Sequence, residues 1–251
     1  MSEPGEVAPA GGRPTVRMLH TSDVHVADGT DPARALRGVV DIAIDSDVDI
    51  VLIAGDLFDH ARIGEEAASA TIKELARLER PVVVIPGNHD CVDERSVYRR
   101  VDLTDAGLHV RFVGDPEGSE LWFDDLSLHI WARGIENHHP GHRPLAGRRA
   151  APPGGWSVVV THGHYVENGE DSDRSSQIRQ EEIAALDCDY LALGHWHRFL
   201  EVSEGDVKAF YCGSPSESGV DAGTVNLVTL SPISGVGVER KPVAPPDVGR
   251  S

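Results

Sequence analysis

An α/β fold is what the sequence predicts, and three observations predict it. Short apolar runs alternate with segments of helical spacing, the pattern of layered strands and helices. Five of the apolar runs stop abruptly in clusters of Asp, Asn, His and Gly. The chain of 251 residues is 40% hydrophobic, enough to bury one substantial core, and its length suits one large domain.

In chain order, VRML leads into His20-Thr21-Ser22-Asp23-Val24-His25, DIVLIA into Gly55-Asp56-Leu57-Phe58-Asp59, and PVVVIP into Gly87-Asn88-His89-Asp90. WSVVV then leads into Thr161-His162-Gly163-His164, and DYLAL into Gly194-His195-Trp196-His197. Between them DPARALRGVVDIAIDSD, EEAASATIKELARLE and SSQIRQEEIAALD carry apolar residues at helix spacing. Ser175 or Ser176, ahead of Gln and Glu, is placed to cap the last of these. The runs HVRFVG, LWFDDLSLHIWARG, VKAFYCG and TVNLVTL read as strands of a second sheet packed against the first.

Residues 1–14 and 241–251, rich in Pro, Gly and small side chains, read as disordered tails around a single domain spanning 15–240. ENHHPGHRPLAGRRAAPPGG (136–155) has no periodicity and reads as a surface loop between two halves of the domain. No apolar run reaches about 18 residues, so no membrane span is expected. The opening MSEPGEVAPAGGRP is not the basic-then-apolar pattern of an export leader, so the chain reads as cytoplasmic. Cys91, Cys188 and Cys212 form an odd set without CxxC spacing, which argues against disulfides and thiolate zinc. With 41 acidic and 23 basic residues the formal charge is -18, which repels a polyphosphate backbone at long range.

Ligands and catalytic groups of open α/β sheets gather beyond the carboxyl ends of the strands, so the five clusters can converge. In LALGHWHRF, alternating residues of an extended chain share a face, so His195 and His197 are expected to face one common point. Together the clusters offer Asp23, His25, Asp56, Asn88, His162, His195 and His197, with His89 nearby. Oxygen donors mixed with imidazoles suit Mn²⁺, Fe or Zn²⁺. Seven donors are too many for one ion and reasonable for two. Two ions about 3.5–4 Å apart clamp a phosphoryl group and lower the pKa of a bridging water.

The constellation resembles the calcineurin-like metallophosphoesterase superfamily, whose signature DxH, GDxxD, GNH(D/E), a strand-ending His and GHxH occurs here in order over roughly residues 16–230. The resemblance implies a four-layer αββα sandwich of two mixed sheets flanked by helices. It implies that Asp23, His25 and His197 hold one metal, that Asn88, His162 and His195 hold a second, and that Asp56 bridges them. His89 is then no ligand but sits over the scissile phosphate as acid or charge stabiliser, oriented by Asp90. The expected cofactors are two divalent ions, Mn²⁺ first, with Fe or Zn²⁺ also suited.

Asp59 and Asp90 read as residues that orient backbone or imidazole groups. His164 reads as site lining or as a loop polar residue, and Trp196 as packing beside the metals rather than stacking on a substrate base. His60, His138, His139 and His142 read as solvated loop residues, with Arg133, Arg143, Arg148 and Arg149 as candidate phosphate contacts. Tyr211-Cys212-Gly213-Ser214-Pro215 resembles the family's closing strand and Gly-Ser turn, and reads equally well as plain sheet and turn. In wording, GDLFD, PVVVIPGNHD and LDCDYLALGHWH with YCGSP are most similar to the bacterial and archaeal double-strand-break repair nucleases. That branch continues into a DNA-capping domain, before which this sequence stops. Together with the charge, this favours a small phosphodiester or phosphomonoester as substrate. A DNA exonuclease is the alternative, and a catalytically inactive binding protein the third reading, although no ligand is missing. No membrane partner is expected.

Overall fold

IVLIA at 50–54 and VVVI at 82–85 are apolar at every position, the pattern of strands covered on both faces. In the computed structural model every one of these residues is buried. The structure describes residues 12–137, 139, 141–148, 151–167, 169, 173–217 and 223–243. His138, Arg149 and most of both expected tails lie outside the described residues.

The elements in chain order are β1 (Val16–Thr21), α1 (Arg34–Asp45), β2 (Ile50–Ala54), α2 (Glu65–Leu75), β3 (Val82–Ile85), β4 (Val110–Phe112), β5 (Ser119–Phe123), β6 (Leu128–Arg133) and β7 (Trp156–His162). They continue with β8 (His164–Val166), β9 (Gln177–Arg179), α3 (Gln180–Ala184), β10 (Tyr190–Gly194), β11 (Phe199–Glu201), β12 (Lys208–Cys212), β13 (Thr224–Ser231) and β14 (Gly235–Pro242).

Two six-stranded mixed sheets result, in the orders β14-β13-β1-β2-β3-β4 and β11-β12-β10-β7-β6-β5. Strands β1 to β4 run parallel in the first, and β12, β10, β7 and β6 in the second. Met18, Leu52 and Val83 of the first sheet meet Ile130, Val158 and Ala192 of the second in the core between the sheets. Their neighbours Leu19, Val51 and Val84 point to the opposite face, as the period of two requires. There Leu36, Val39, Val40 and Ala43 of α1, spaced at helix period, and Leu75 of α2 cover them. Over the second sheet the outer layer is thinner: Ile178 of β9 and Ile183 of α3 pack on Val159, Leu191 and Tyr211.

The layered α/β architecture is as expected, with three differences in assignment. β4 (from HVRFVG) and β13 (from TVNLVTL) complete the first sheet, and WSVVV and DYLAL supply the second. The segment SSQIRQEEIAALD is helical only over 180–184, because Gln177–Arg179 pairs with β8 as a two-stranded ribbon. Arg179, not Ser175 or Ser176, precedes the helix, and its N–H is taken by the Glu182 carboxylate at 2.8 Å. At the carboxyl end, β14 runs to Pro242 and Val243 is buried, past the expected boundary at 240.

One polar residue of β1, His20, lies between the sheets, fully buried, with Nδ1 2.9 Å from the Tyr190 hydroxyl. Burial disfavours its charged form and lowers its pKa from 6.5 to about 3. Between these values the unfolded chain binds a proton that the folded chain refuses. This stability is therefore present above pH 6.5 and is lost as pH falls toward 3, by up to about 1.4 kcal/mol per pH unit. His20→Gln should flatten the urea-unfolding free energy between about pH 6.5 and pH 4; an unchanged slope would contradict the assignment.

Candidate metal centre

The loops that follow β1 and β2 continue side by side beyond the sheet. Asp23 N–H donates to Gly55 C=O and His25 N–H to Asp56 C=O, both at 3.0 Å. To do so Asp23, His25 and Asp56 adopt left-handed backbone, with φ of 54°, 49° and 52°. That conformation is uncommon outside glycine and concentrates at functional sites.

Asp23 is fully buried. Its Oδ2 accepts from the Ser22 hydroxyl and from His195 N–H, whereas Oδ1 has no hydrogen-bond partner among the described residues. Facing Oδ1 at 3.6 Å is His197 Nε2, which is also 3.1 Å from His25 Nε2. The opposite nitrogens of these rings face carboxylates: His197 Nδ1 is 3.1 Å from Glu217 Oε1, and His25 Nδ1 3.2 Å from Asp59 Oδ1. The Glu217 carboxylate favours the proton on the outer nitrogen of His197 and so turns its Nε2 lone pair toward His25 and Asp23, an arrangement that a cation between them resolves.

The second group meets the first at Asp56, which is 1% exposed. His162 Nδ1–H donates to Ala54 C=O at 2.8 Å, leaving Nε2 to face Asn88 Oδ1 at 3.0 Å and Asp56 Oδ2 at 3.4 Å. His195 Nδ1 lies 2.9 Å from the same Asn88 oxygen. This convergence needs bare backbone at Gly194, where a Cβ would come within 1.9 Å of Ala54 O. It needs it again at Gly55, whose φ is +91° and whose Cβ would meet His162 Nδ1 at 2.3 Å.

The electrostatics fit the same purpose. Burial works against charge on His162, yet Asp56 and Asp23 raise its pKa to about 9. Burial would raise Asp56, but His162 outweighs it and holds the carboxyl below the ordinary range. Asp23 is raised by burial, with His162 opposing and Asp56 adding. His195 is pushed down to about 3 by burial and then by His162. A buried imidazolium thus balances two carboxylates where a divalent cation would supply the same positive charge. With an unpartnered Asp23 oxygen, inward-facing imidazole nitrogens and clustered donors at Asp23/His25/His197 and Asp23/Asp56/His162, the residues fit divalent metal.

All seven expected ligands are therefore brought together, but His195 and His197 do not face one point. β10 ends at Gly194, and His195 turns out of the strand direction at φ 118°. One imidazole then joins Asn88 and the other joins His25. The pairing of Asp90 with His89 also needs correction. Asp90 is fully buried and accepts from Gly87 N–H, Phe58 N–H and the Tyr98 hydroxyl, and burial, then Asp56, pushes its pKa up to about 6. It ties the Asn88 loop to the Asp56 loop. The His89 ring is set by Asp59, whose carbonyl lies 2.9 Å from His89 Nδ1.

Other expectations divide. His164 lines the site, its ring 5.6 Å edge-on from that of His195. His60 and His139 are exposed, whereas His142 is half-buried and is lowered to about 4 by burial and then by Arg133. Arg133 is spent on the carbonyls of Pro116, Arg143 and Ala146. Arg148 binds Ser157 and Asp187 C=O, at the end of β7 opposite His162. Neither serves as the expected phosphate contact. Arg143 donates to His142 C=O at 3.3 Å. Sequence reasoning missed Glu217 and Ser22, and gave the Gly-Ser turn no role. Ser214 donates to Asp23 C=O at 2.6 Å and Ser216 to Val24 C=O, so the turn after β12 fastens the Asp23 loop. Serines and a glutamate on a loop carry no signal until the fold sets them there.

Two face-to-face mixed sheets thus carry, at the carboxyl ends of their strands, a cluster of oxygen and imidazole donors suited to divalent metal. The chain belongs to the calcineurin-like phosphoesterase family, whose model matches residues 16–199. Among curated proteins it is 25% identical over 270 residues to the SbcD component of the SbcCD nuclease of Escherichia coli K12, covering 86% of this chain and 65% of that protein. It is 26% identical over 263 residues to the Bacillus subtilis SbcD, covering 86% and 66%. The chain thus spans just under two thirds of the length of these relatives. An uncharacterized metallophosphoesterase of B. subtilis, YhaO, is 24% identical over 184 residues, covering 72% of this chain and 44% of that one. Among solved structures, TT1561 of Thermus thermophilus superposes with a TM-score of 0.60 at 14% identity, covering 92% of this chain and all of that one, a likeness of fold. No helix among the described residues is long and apolar enough to cross a membrane.

Proposed function

We propose that the chain hydrolyses a small phosphodiester or phosphomonoester at a centre of two divalent cations, with Mn²⁺ the best suited. The observation that carries this reading is the meeting of two donor groups at the buried Asp56 carboxylate. Asp23, His25 and His197 would hold one cation and Asn88, His162 and His195 the other. Divalent cations bound there supply Lewis acidity toward a phosphoryl group and lower the pKa of bound water. His89, with a side chain 44% exposed, stands at the open side of the centre beside His25, ring centroids 4.7 Å apart. Nδ1–H donating to Asp59 C=O leaves Nε2 to hold or release a proton toward a phosphoryl or departing oxygen. A charge of -18 supports small substrates over polymers, because the cations make only the pocket positive.

The test is metal analysis with turnover of an aryl phosphodiester and monoester. Two ions per chain and loss of turnover on exhaustive chelation are expected; a single ion, or activity that survives chelation, refutes the two-cation mechanism. A second reading, nuclease activity, is favoured by the relatives named as parts of a nuclease. Duplex and single-stranded DNA degraded faster than small diesters at physiological salt would put it first.

A further inference from the structure

Beside the metal centre lies a groove of about 450 Å³, lined among others by His164, Tyr165, Arg174, Trp196, Arg198 and Glu204. Its volume falls in the range of small-molecule sites, about 300–1,000 Å³. Groove and centre share a wall. His164 meets the His195 ring edge-on on one side and stacks on Trp196 on the other, with centroids 5.3 Å apart and planes 24° apart. Trp196 is the residue between His195 and His197, so its position is tied to both donor groups. One edge of the indole packs into the core near Tyr211. The Arg198 guanidinium lies 4.6 Å over the ring; Arg198 is exposed and pairs with no carboxylate among the described residues.

We propose that this groove is a nucleobase subsite: the base of a nucleotide-type phosphoester packs against Trp196 and Arg198 while its phosphate lies at the donors around Asp56. The inference deepens the phosphoesterase reading and rests on it for the placement of the phosphate. Indole and guanidinium both stack on bases, and such stacking tolerates any base because each has a π face. The rim mixes acceptors, Glu167, Glu201 and Glu204, with donors, Arg174 and Arg198. Both signs together suit a neutral planar group with hydrogen-bonding edges. Three glutamates disfavour a second phosphate.

The test has two arms. With Mn²⁺, kcat/KM is compared for adenosine 5′-monophosphate and for ribose 5-phosphate, which differ by the base. The ratio should fall about tenfold in Trp196→Leu, less in Arg198→Ser, and stay near the parent value in Trp196→Phe. Disturbed metal binding would lower both substrates together and leave the ratio unchanged. An unchanged ratio in both Trp196→Leu and Arg198→Ser overturns the subsite. The second arm needs no turnover: saturation-transfer NMR with adenosine alone should show binding that Trp196→Leu abolishes and Trp196→Phe keeps. Binding without hydrolysis of these phosphates or of aryl mono- and diesters would retain the subsite and refute the phosphoesterase reading; no adenosine binding would refute the subsite whatever the activity.

Discussion

Asp56→Ala should empty both halves of the centre at once. Its carboxylate lies between the donor groups, within reach of His25 on one side and of His162 on the other, with Oδ2 beside His162 and Oδ1 fixed by His89 N–H. Without it, two cations held side by side would repel with no shared anion to screen them. Metal analysis should find both occupancies reduced, and kcat should fall by at least about 10³, since metal assistance is worth several kcal/mol in the transition state. Asp23→Ala should act differently, emptying chiefly the site of His25 and His197, because Asn88, His162 and His195 keep their own geometry. If both variants retained the parent stoichiometry, the ligand assignment would be wrong.

The second large effect is expected at His89. His89→Gln should keep the metal content while kcat falls by about 10²–10⁴, the usual contribution of a positioned acid or base. Esters with poor leaving groups, which need a proton, should lose more than nitrophenyl esters, whose anion departs unaided. An even loss across leaving groups would instead assign the imidazole to charge stabilisation on the phosphoryl oxygens. A variant that lost a cation would make His89 a ligand. The side-chain nitrogens and oxygens of His25, Asp56 and His89 do lie close enough together for that outcome to be a real test. Asp59→Ala removes the carboxylate facing His25 Nδ1 but keeps the carbonyl that holds His89, so it should perturb His25 more than His89, whereas Asp90 variants should act through the packing of the loops.

Much of this site was legible in the sequence because its residues follow strands. An apolar run such as VVVI can be neither loop nor surface helix, and the polar residues that end five such runs must emerge on one rim once the strands lie parallel. Which sheet each strand joins was not legible. TVNLVTL pairs with β1 only because the chain returns across the whole domain, and nothing local in that short run records the return. The same limit explains Glu217, whose role depends on the turn after β12 reaching His197 from 20 residues away. His195 and His197 were read as extended because alternation is a strand property; the positive-φ turn at His195 is a tertiary demand, imposed by Asp23 Oδ2 on its N–H. Asp90 was misplaced for a related reason: its neighbour in sequence is His89, but its buried carboxylate is needed by the backbone of two loops.

The four positive-φ residues of the centre that are not glycine, Asp23, His25, Asp56 and His195, have a consequence for how this protein responds to selection. Each costs about 1 kcal/mol or more in the folded state, and two of them are buried acids that repel one another. Glycine at His25 or His195 relaxes the backbone, and at Asp23 it also removes a buried acid whose charge burial and Asp56 oppose, whereas at Asp56 it would strand the His162 imidazolium. A laboratory screen that rewards heat resistance of the metal-free protein should therefore enrich replacements at the very positions that hold the ions. Hardier clones from such a screen would be expected to arrive already disarmed, unless survivors were also required to turn over a phosphoester.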